Sequence, residues 1–302
     1  MKLLSRRRRP AVTADRPSPS SDGDRARRAV LAAMRHELVP LKNVDAAIDA
    51  LPPGSQVSVT CSPAKGLEVT EELTARLLDL GHDAVPHLSA RMVTGRDHVA
   101  RLAAWVRDHG VREVFVVGGD GTVPAGPYAD GAAFLRDLLD HDTGLRQVGV
   151  PAYPDGHPMI DVGALRAALR SKQELIAEAG VQATMTTQMC FDARRVTSWL
   201  RDTRAEGITM PVVLGVPGVV DRARLMTMGV RLGIGASLRY LRKNRSTVTA
   251  LLAPGGYDPT ELVTSLVDQV EPLGLAGLHV FTFNAVADTV AWQRSLLAAA
   301  ER

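Results

Sequence analysis

Eight short runs rich in β-branched and other apolar residues recur along the chain, alternating with stretches of helical amphipathicity, and this alternation constrains the fold more than any other feature. The runs fall at His36–Leu41, Gln56–Cys61, Ala84–Leu88, Glu113–Val117, Gln147–Val150, Ala183–Gln188, Met210–Val216 and Leu278–Phe283. Apolar runs linked by helical stripes are the pattern of parallel strands covered on both faces by crossover helices. Helices are expected over Glu68–Leu80, Arg96–His109, Ala132–His141, Val162–Ala179, Asp192–Glu206 and Asp221–Met228. Several open on Asp or Thr and close at Gly81, Gly110, Gly180 or Gly207, where a left-handed residue ends a helix. Eight such units predict an α/β protein with a single (β/α)8 barrel, the TIM-barrel architecture, over residues 31–302, and a chain of 302 residues suits one such domain. The stretch from Gly233 to Pro272 reads as an elaborated crossover, with a basic helix in SLRYLRKNRS and another over Asp258–Val270.

The formal charge of +3 suggests a nucleic-acid partner until the charge is located. Residues 1–28 hold nine of the 36 Lys and Arg against three Asp, leaving 27 basic and 30 acidic side chains for the rest of the chain. The body is therefore mildly acidic, which argues against a nucleic-acid surface. The head is rich in Arg, Ser, Pro and Asp, a composition that does not offset its own ordering entropy. Residues 1–30 are thus expected to be a disordered basic extension, read as a solvated tail rather than a nucleic-acid or membrane arm, with Met34 as an alternative start. The head has no apolar leader and no later stretch offers an apolar membrane span, so a cytoplasmic location is expected. Cys61 and Cys190 lack metal-binding or redox companions, so packing is expected of both and no metal site is read.

Active sites of such barrels form at the carboxyl ends of the strands. Glu37 lies inside the first run, Asp120 follows the fourth, Tyr153 and His157 follow the fifth, Gln188 ends the sixth, and Thr282 and Asn284 close the eighth. A carboxyl within an apolar strand must be paired, solvated or protonated, which makes Glu37 a candidate general acid. A Glu paired with a neighbouring Arg is the structural alternative. Tyr153 and His157 sit among Pro151, Pro154, Gly156 and Pro158, where a rigid turn explains them equally well. The GGDGT run at Gly118–Thr122 resembles the phosphate turn of NAD kinases and lipid kinases, although the rest of their pattern is missing.

In combination these residues resemble the methylenetetrahydrofolate reductase family from about Arg35 to Ala300. The motifs are the first-strand Glu37, the Gly119-Asp120 pair, the box Ala152-Tyr153-Pro154-Asp155-Gly156-His157-Pro158, and the box Thr187-Gln188-Met189-Cys190-Phe191-Asp192. Pro211–Gly215 and the closing Gly277–Asn284 complete the set.

The resemblance implies reduction of a folate-bound methylene group, with Glu37 as the acid. It implies that Asp120 and Gln188 bind the pterin, that Phe281 or Phe191 supplies an aromatic wall, and that Thr60, Tyr153 and His157 contact the nicotinamide cofactor. The family's flavin-binding cations are replaced at Gly118 and at Leu175-Ile176, which resembles the actinobacterial branch that works without FAD and takes hydride directly from NADH rather than NADPH. A FAD-dependent reductase and a silent folate- or nucleotide-binding barrel are the alternatives. The expected partner is a small-molecule folate, with neither nucleic acid nor membrane; a homo-oligomer is compatible with the sequence.

Overall fold

The structure is a computed structural model and describes residues 19–221 and 257–301. Eight parallel strands close into a barrel in sequence order: β1 (Met34–Leu38), β2 (Gln56–Val59), β3 (Asp83–Ser89), β4 (Glu113–Val117), β5 (Gln147–Ala152), β6 (Gln182–Thr187), β7 (Val212–Pro217) and β8 (Leu275–Phe281). β1 closes the ring on β8, with Glu37 in register with Phe281. The expected (β/α)8 architecture is therefore the one observed.

Between strands run α2 (Val44–Asp49), α3 (Glu68–Asp79), α4 (Arg96–Asp108), α5 (Gly131–Leu139), α6 (Val162–Glu178) and α7 (Ala193–Ala205), with α8 (Thr260–Val267), α9 (Val270–Leu273) and α10 (Val286–Ala299) around β8. Asp130, Asp161 and Asp192 each accept backbone N–H bonds as the N-caps of α5, α6 and α7. Gly81, Gly110, Gly180 and Gly207 all take positive φ just past helix ends, as the sequence predicts. The helices press their apolar stripes onto the outward side chains of the strands, such as Val114, Val116, Val148, Val150, Leu278 and Val280, all fully buried in one continuous core.

Three expectations change. The segment expected to be disordered through residue 30 instead enters a helix, α1, at Pro19 and continues to Ala32. Its last turn buries Val30 and Leu31, its body packs on β8 and α10, and Arg27 and Arg28 pair with Asp268 and Glu301. Docking supplies the ordering energy that the head's average composition lacks. The single helix expected over Asp258–Val270 divides into α8 and α9 at Asp268-Gln269, and the six-residue α2 is too short to give a periodic signal. The helix expected at Asp221–Met228 and the SLRYLRKNRS helix lie outside the described residues, apart from Asp221. No described helix is long and apolar enough to cross a membrane.

The inside of the barrel is unusually polar at its lower end. Arg35 of β1 and Glu113 of β4 form a buried two-pronged ion pair, at 2.8 and 2.6 Å. Above it, Phe115 of β4 leans over Gly149 of β5, where an added Cβ would lie 2.7 Å from the ring. His87 of β3 stacks obliquely on Phe115, with centroids 4.7 Å apart.

Candidate active site

Glu37 is buried on β1 with its side chain pointing into the barrel. Its Oε2 lies 3.0 Å from Nε2 of His279, a residue of β8 that is itself buried. Phe281, two residues further along β8, sets its ring edge-on against His279, with centroids 4.9 Å apart. Phe281 also crowds Gly215 of β7, where a Cβ would collide with the Thr187 carbonyl and sit 3.0 Å from the Phe281 ring. Only glycine lets β6, β7 and the aromatic ring approach this closely. Among the described residues Glu37 is partnered by His279 and not by an arginine, Arg35 being spent on Glu113.

Below this pair stands His87, whose buried Nε2 has no hydrogen-bond partner among the described residues. Burial, reinforced by His279 and Arg35, holds the His87 imidazole neutral well below the ordinary histidine range. The donor atoms of Glu37, His87 and His279 all lie within 4.8 Å of one another. Sequence inspection singled out neither histidine. His87 sits in PHLS and His279 in GLHVF, and only the barrel register reveals that both point inward toward Glu37.

The second group lies at the carboxyl mouth. Asp120 is exposed on the loop after β4, and the negative field of its carboxylate reaches Tyr153, His157 and Cys61. Burial, with a smaller contribution from Asp120, pushes the Tyr153 hydroxyl up to about 12, so it remains a neutral donor. His157 packs its ring edge-on to Tyr153, with centroids 5.1 Å apart; partial burial lowers its basicity while Asp120 opposes the change. The Cys61 thiol is likewise pushed up to about 12 by burial and then by Asp120, which fits packing rather than nucleophilic work.

The loop presenting Asp120 is built tightly. Gly119 adopts a φ of +98°, and a Cβ there would collide with the Ser89 hydroxyl. Arg91 holds the same loop from below, donating to the carbonyls of Gly121 and Ala129 at 2.7 and 3.0 Å. Gln188 stands at the end of β6; its backbone N–H donates to the Ala152 carbonyl beside Tyr153, and its side-chain oxygen accepts from the Met189 N–H at 2.8 Å. Among the described residues the Gln188 amide NH2 has no hydrogen-bond partner. Thr60 is half-buried just past the end of β2; its N–H donates to the Leu38 carbonyl and its own carbonyl accepts from the Thr70 hydroxyl.

Thr282 and Asn284 prove to be structural supports. Thr282 donates its hydroxyl to the Glu37 carbonyl. Asn284, in the left-handed region at φ +65°, accepts from the Val39 N–H and donates to the Val39 carbonyl, each at 2.9 Å. Phe191 is buried edge-on against Tyr257, which leaves Phe281 as the aromatic beside the acid. The expected site residues therefore form two groups, Glu37 with Phe281 inside the barrel and Asp120, Tyr153 and His157 at the rim with Thr60 and Gln188 on neighbouring strand ends. No direct hydrogen bond joins the groups among the described residues.

A buried carboxyl inside a closed (β/α)8 barrel, below a mouth carrying an acidic residue and a tyrosine–histidine pair, defines an enzyme of the barrel class. The family model for methylenetetrahydrofolate reductase matches residues 43–290. The chain belongs to the methylenetetrahydrofolate reductase family and is an oxidoreductase acting on that folate. The match includes the GGDGT turn, whose likeness to kinases thereby loses its weight, and begins just past Glu37.

Proposed function

We propose that the protein reduces methylenetetrahydrofolate to methyltetrahydrofolate by direct hydride transfer from NADH, with Glu37 as general acid and without a flavin. The observation that carries this reading is the buried Glu37 carboxyl lying inward of the Asp120–Tyr153–His157 mouth.

The imidazolidine ring of the substrate opens when its N10 takes a proton. The Glu37 O–H bond breaks, an N10–H bond forms, and the bond from the methylene carbon to N10 breaks with its electron pair left on nitrogen. The resulting N5 iminium carbon accepts hydride from NADH, giving the N5-methyl product and NAD⁺. Asp120 binds the pterin and stabilises positive charge developing on it, and the free amide hydrogens of Gln188 read another pterin edge. Phe281 walls the acid on one side. Thr60, Tyr153 and His157 hold the nicotinamide so that donor and acceptor carbons approach to about 3–3.5 Å.

A flavin dinucleotide fits these residues poorly. Its pyrophosphate calls for cations. Gly118 has no side chain to offer, and Ile176 is packed into the core between α6 and the barrel, where a cation would have to leave its place to reach a ligand.

Anaerobic turnover of flavin-stripped protein, followed by NADH absorbance and methyltetrahydrofolate formation, tests the reading. Activity is expected without flavin, and Glu37→Gln is expected to lower kcat by about 10²–10⁴-fold. Activity that appears only after FAD is restored would place the protein among the flavoenzymes.

A further inference from the structure

The carboxyl of Glu37 has two oxygens, and the structure treats them differently. Oε2 faces Nε2 of His279 at 3.0 Å, whereas Oε1 has no hydrogen-bond partner among the described residues. The main chain around the acid is fixed by the same segment that supplies the histidine. Thr282 binds the Glu37 carbonyl, and Asn284 binds both polar atoms of the Val39 backbone. The main chain that carries Glu37 is therefore held in place opposite His279, and with it the carboxyl that meets Nε2.

We propose that His279 is the positioning residue of the acid: its Nε2–H donates to Glu37 Oε2, so that Oε1 carries the proton delivered to the substrate. This rests on the assignment of Glu37 as the acid. As Oε1–H breaks and N10–H forms, a full negative charge appears on the carboxyl group. The Nε2–H bond to Oε2 becomes charge-assisted at that moment, so it stabilises the transition state more than the ground state. The His279 proton stays on nitrogen throughout, and solvent restores the Oε1 proton between turnovers.

The surroundings of His279 agree with an Nε2–H that donates to the carboxyl. The charged and titratable groups nearest it in the barrel are Glu37 on β1, His87 on β3 and the Arg35–Glu113 pair below. Arg35 and Glu113 neutralise one another. His87 is held uncharged by burial and adds no second cation. Phe115 and Phe281 flank the imidazole, with centroids at 6.5 and 4.9 Å.

The decisive measurement is the tautomer of His279 in the intact protein, read from ¹⁵N shifts of histidine-labelled enzyme at neutral pH and assigned with His279→Gln. A protonated Nε2 is expected, with a shift that changes in Glu37→Gln. An Nδ1–H tautomer with an unprotonated Nε2 would overturn the proposal, because Glu37 would then be the donor in this bond. In kinetics, His279→Leu is expected to lower kcat by about 10²-fold, the loss typical of one donor to a developing oxyanion. KM for NADH should stay within about threefold, while His279→Gln, which keeps an N–H donor, should recover most of the loss. Wild-type kcat in His279→Leu with Glu37→Gln inactive would sink this proposal alone; full activity in Glu37→Gln would sink the acid assignment beneath it.

Discussion

At the scale of single residues, the site depends on a few positions where no other side chain fits. Gly119→Ala forces a non-glycine residue to φ +98° and drives its Cβ into Ser89, so the Asp120 loop must rebuild. The strain is of order 1–3 kcal/mol, and the expected result is a raised folate KM with the KM for NADH less affected. Steady-state kinetics with each substrate varied in turn would show it, and equal effects on both substrates would count against Asp120 as a pterin contact. Conversely, Tyr153→Ala and His157→Ala should raise the KM for NADH; unchanged constants would remove both from the cofactor site. Glu37, Asp120, Tyr153 and His157 were legible in the sequence because each is a polar residue at a strand end or within an apolar run. His87 and His279 were not, because a histidine on a strand shows neither its direction nor its partner until register brings three strands together.

At the scale of elements, the eight strands and most helices followed from hydrophobic periodicity and cap residues. The boundaries moved where side chains override propensity. Val39 extends the apolar run of β1, yet its backbone pairs with the Asn284 side chain instead of a strand neighbour. The Arg35–Glu113 pair that links β1 to β4 was invisible, since the residues are 78 positions apart. Replacing Glu113 by Ala would strand a buried guanidinium and is expected to cost about 3–5 kcal/mol, read as a lowered urea midpoint. A change under about 1 kcal/mol would mean that water reaches Arg35.

At the scale of the whole molecule, α1 acts as part of the barrel. Truncation through Ala32 exposes the surface that Val30 and Leu31 cover; each buried side chain of this size contributes roughly 1.5–3 kcal/mol, so the truncated protein should melt several degrees lower. Unchanged melting would show that the helix docks without stabilising. Stability should also depend on acidity. His36, lowered to about 4 by burial, and His87, held by burial well below the ordinary histidine range, bind protons less readily in the folded state than in the unfolded chain. Folding stability is therefore full above about pH 6.5 and falls as the pH drops from there toward 4, because the unfolded state takes up the protons. Urea midpoints at pH 7 and pH 5 should differ in that direction, and equal midpoints would indicate that the histidines are solvated.

Glu37 and His279 are separated by 242 positions, and they meet only where the last strand seals against the first. During synthesis the acid emerges early and its partner last, so a nascent or truncated chain holds an unsupported carboxyl until the ring shuts. With the proposed roles of Glu37 and His279, the reaction is tied to completion of the fold: catalysis begins when assembly ends, and the recovery of turnover during refolding is expected to serve as a clock for barrel closure.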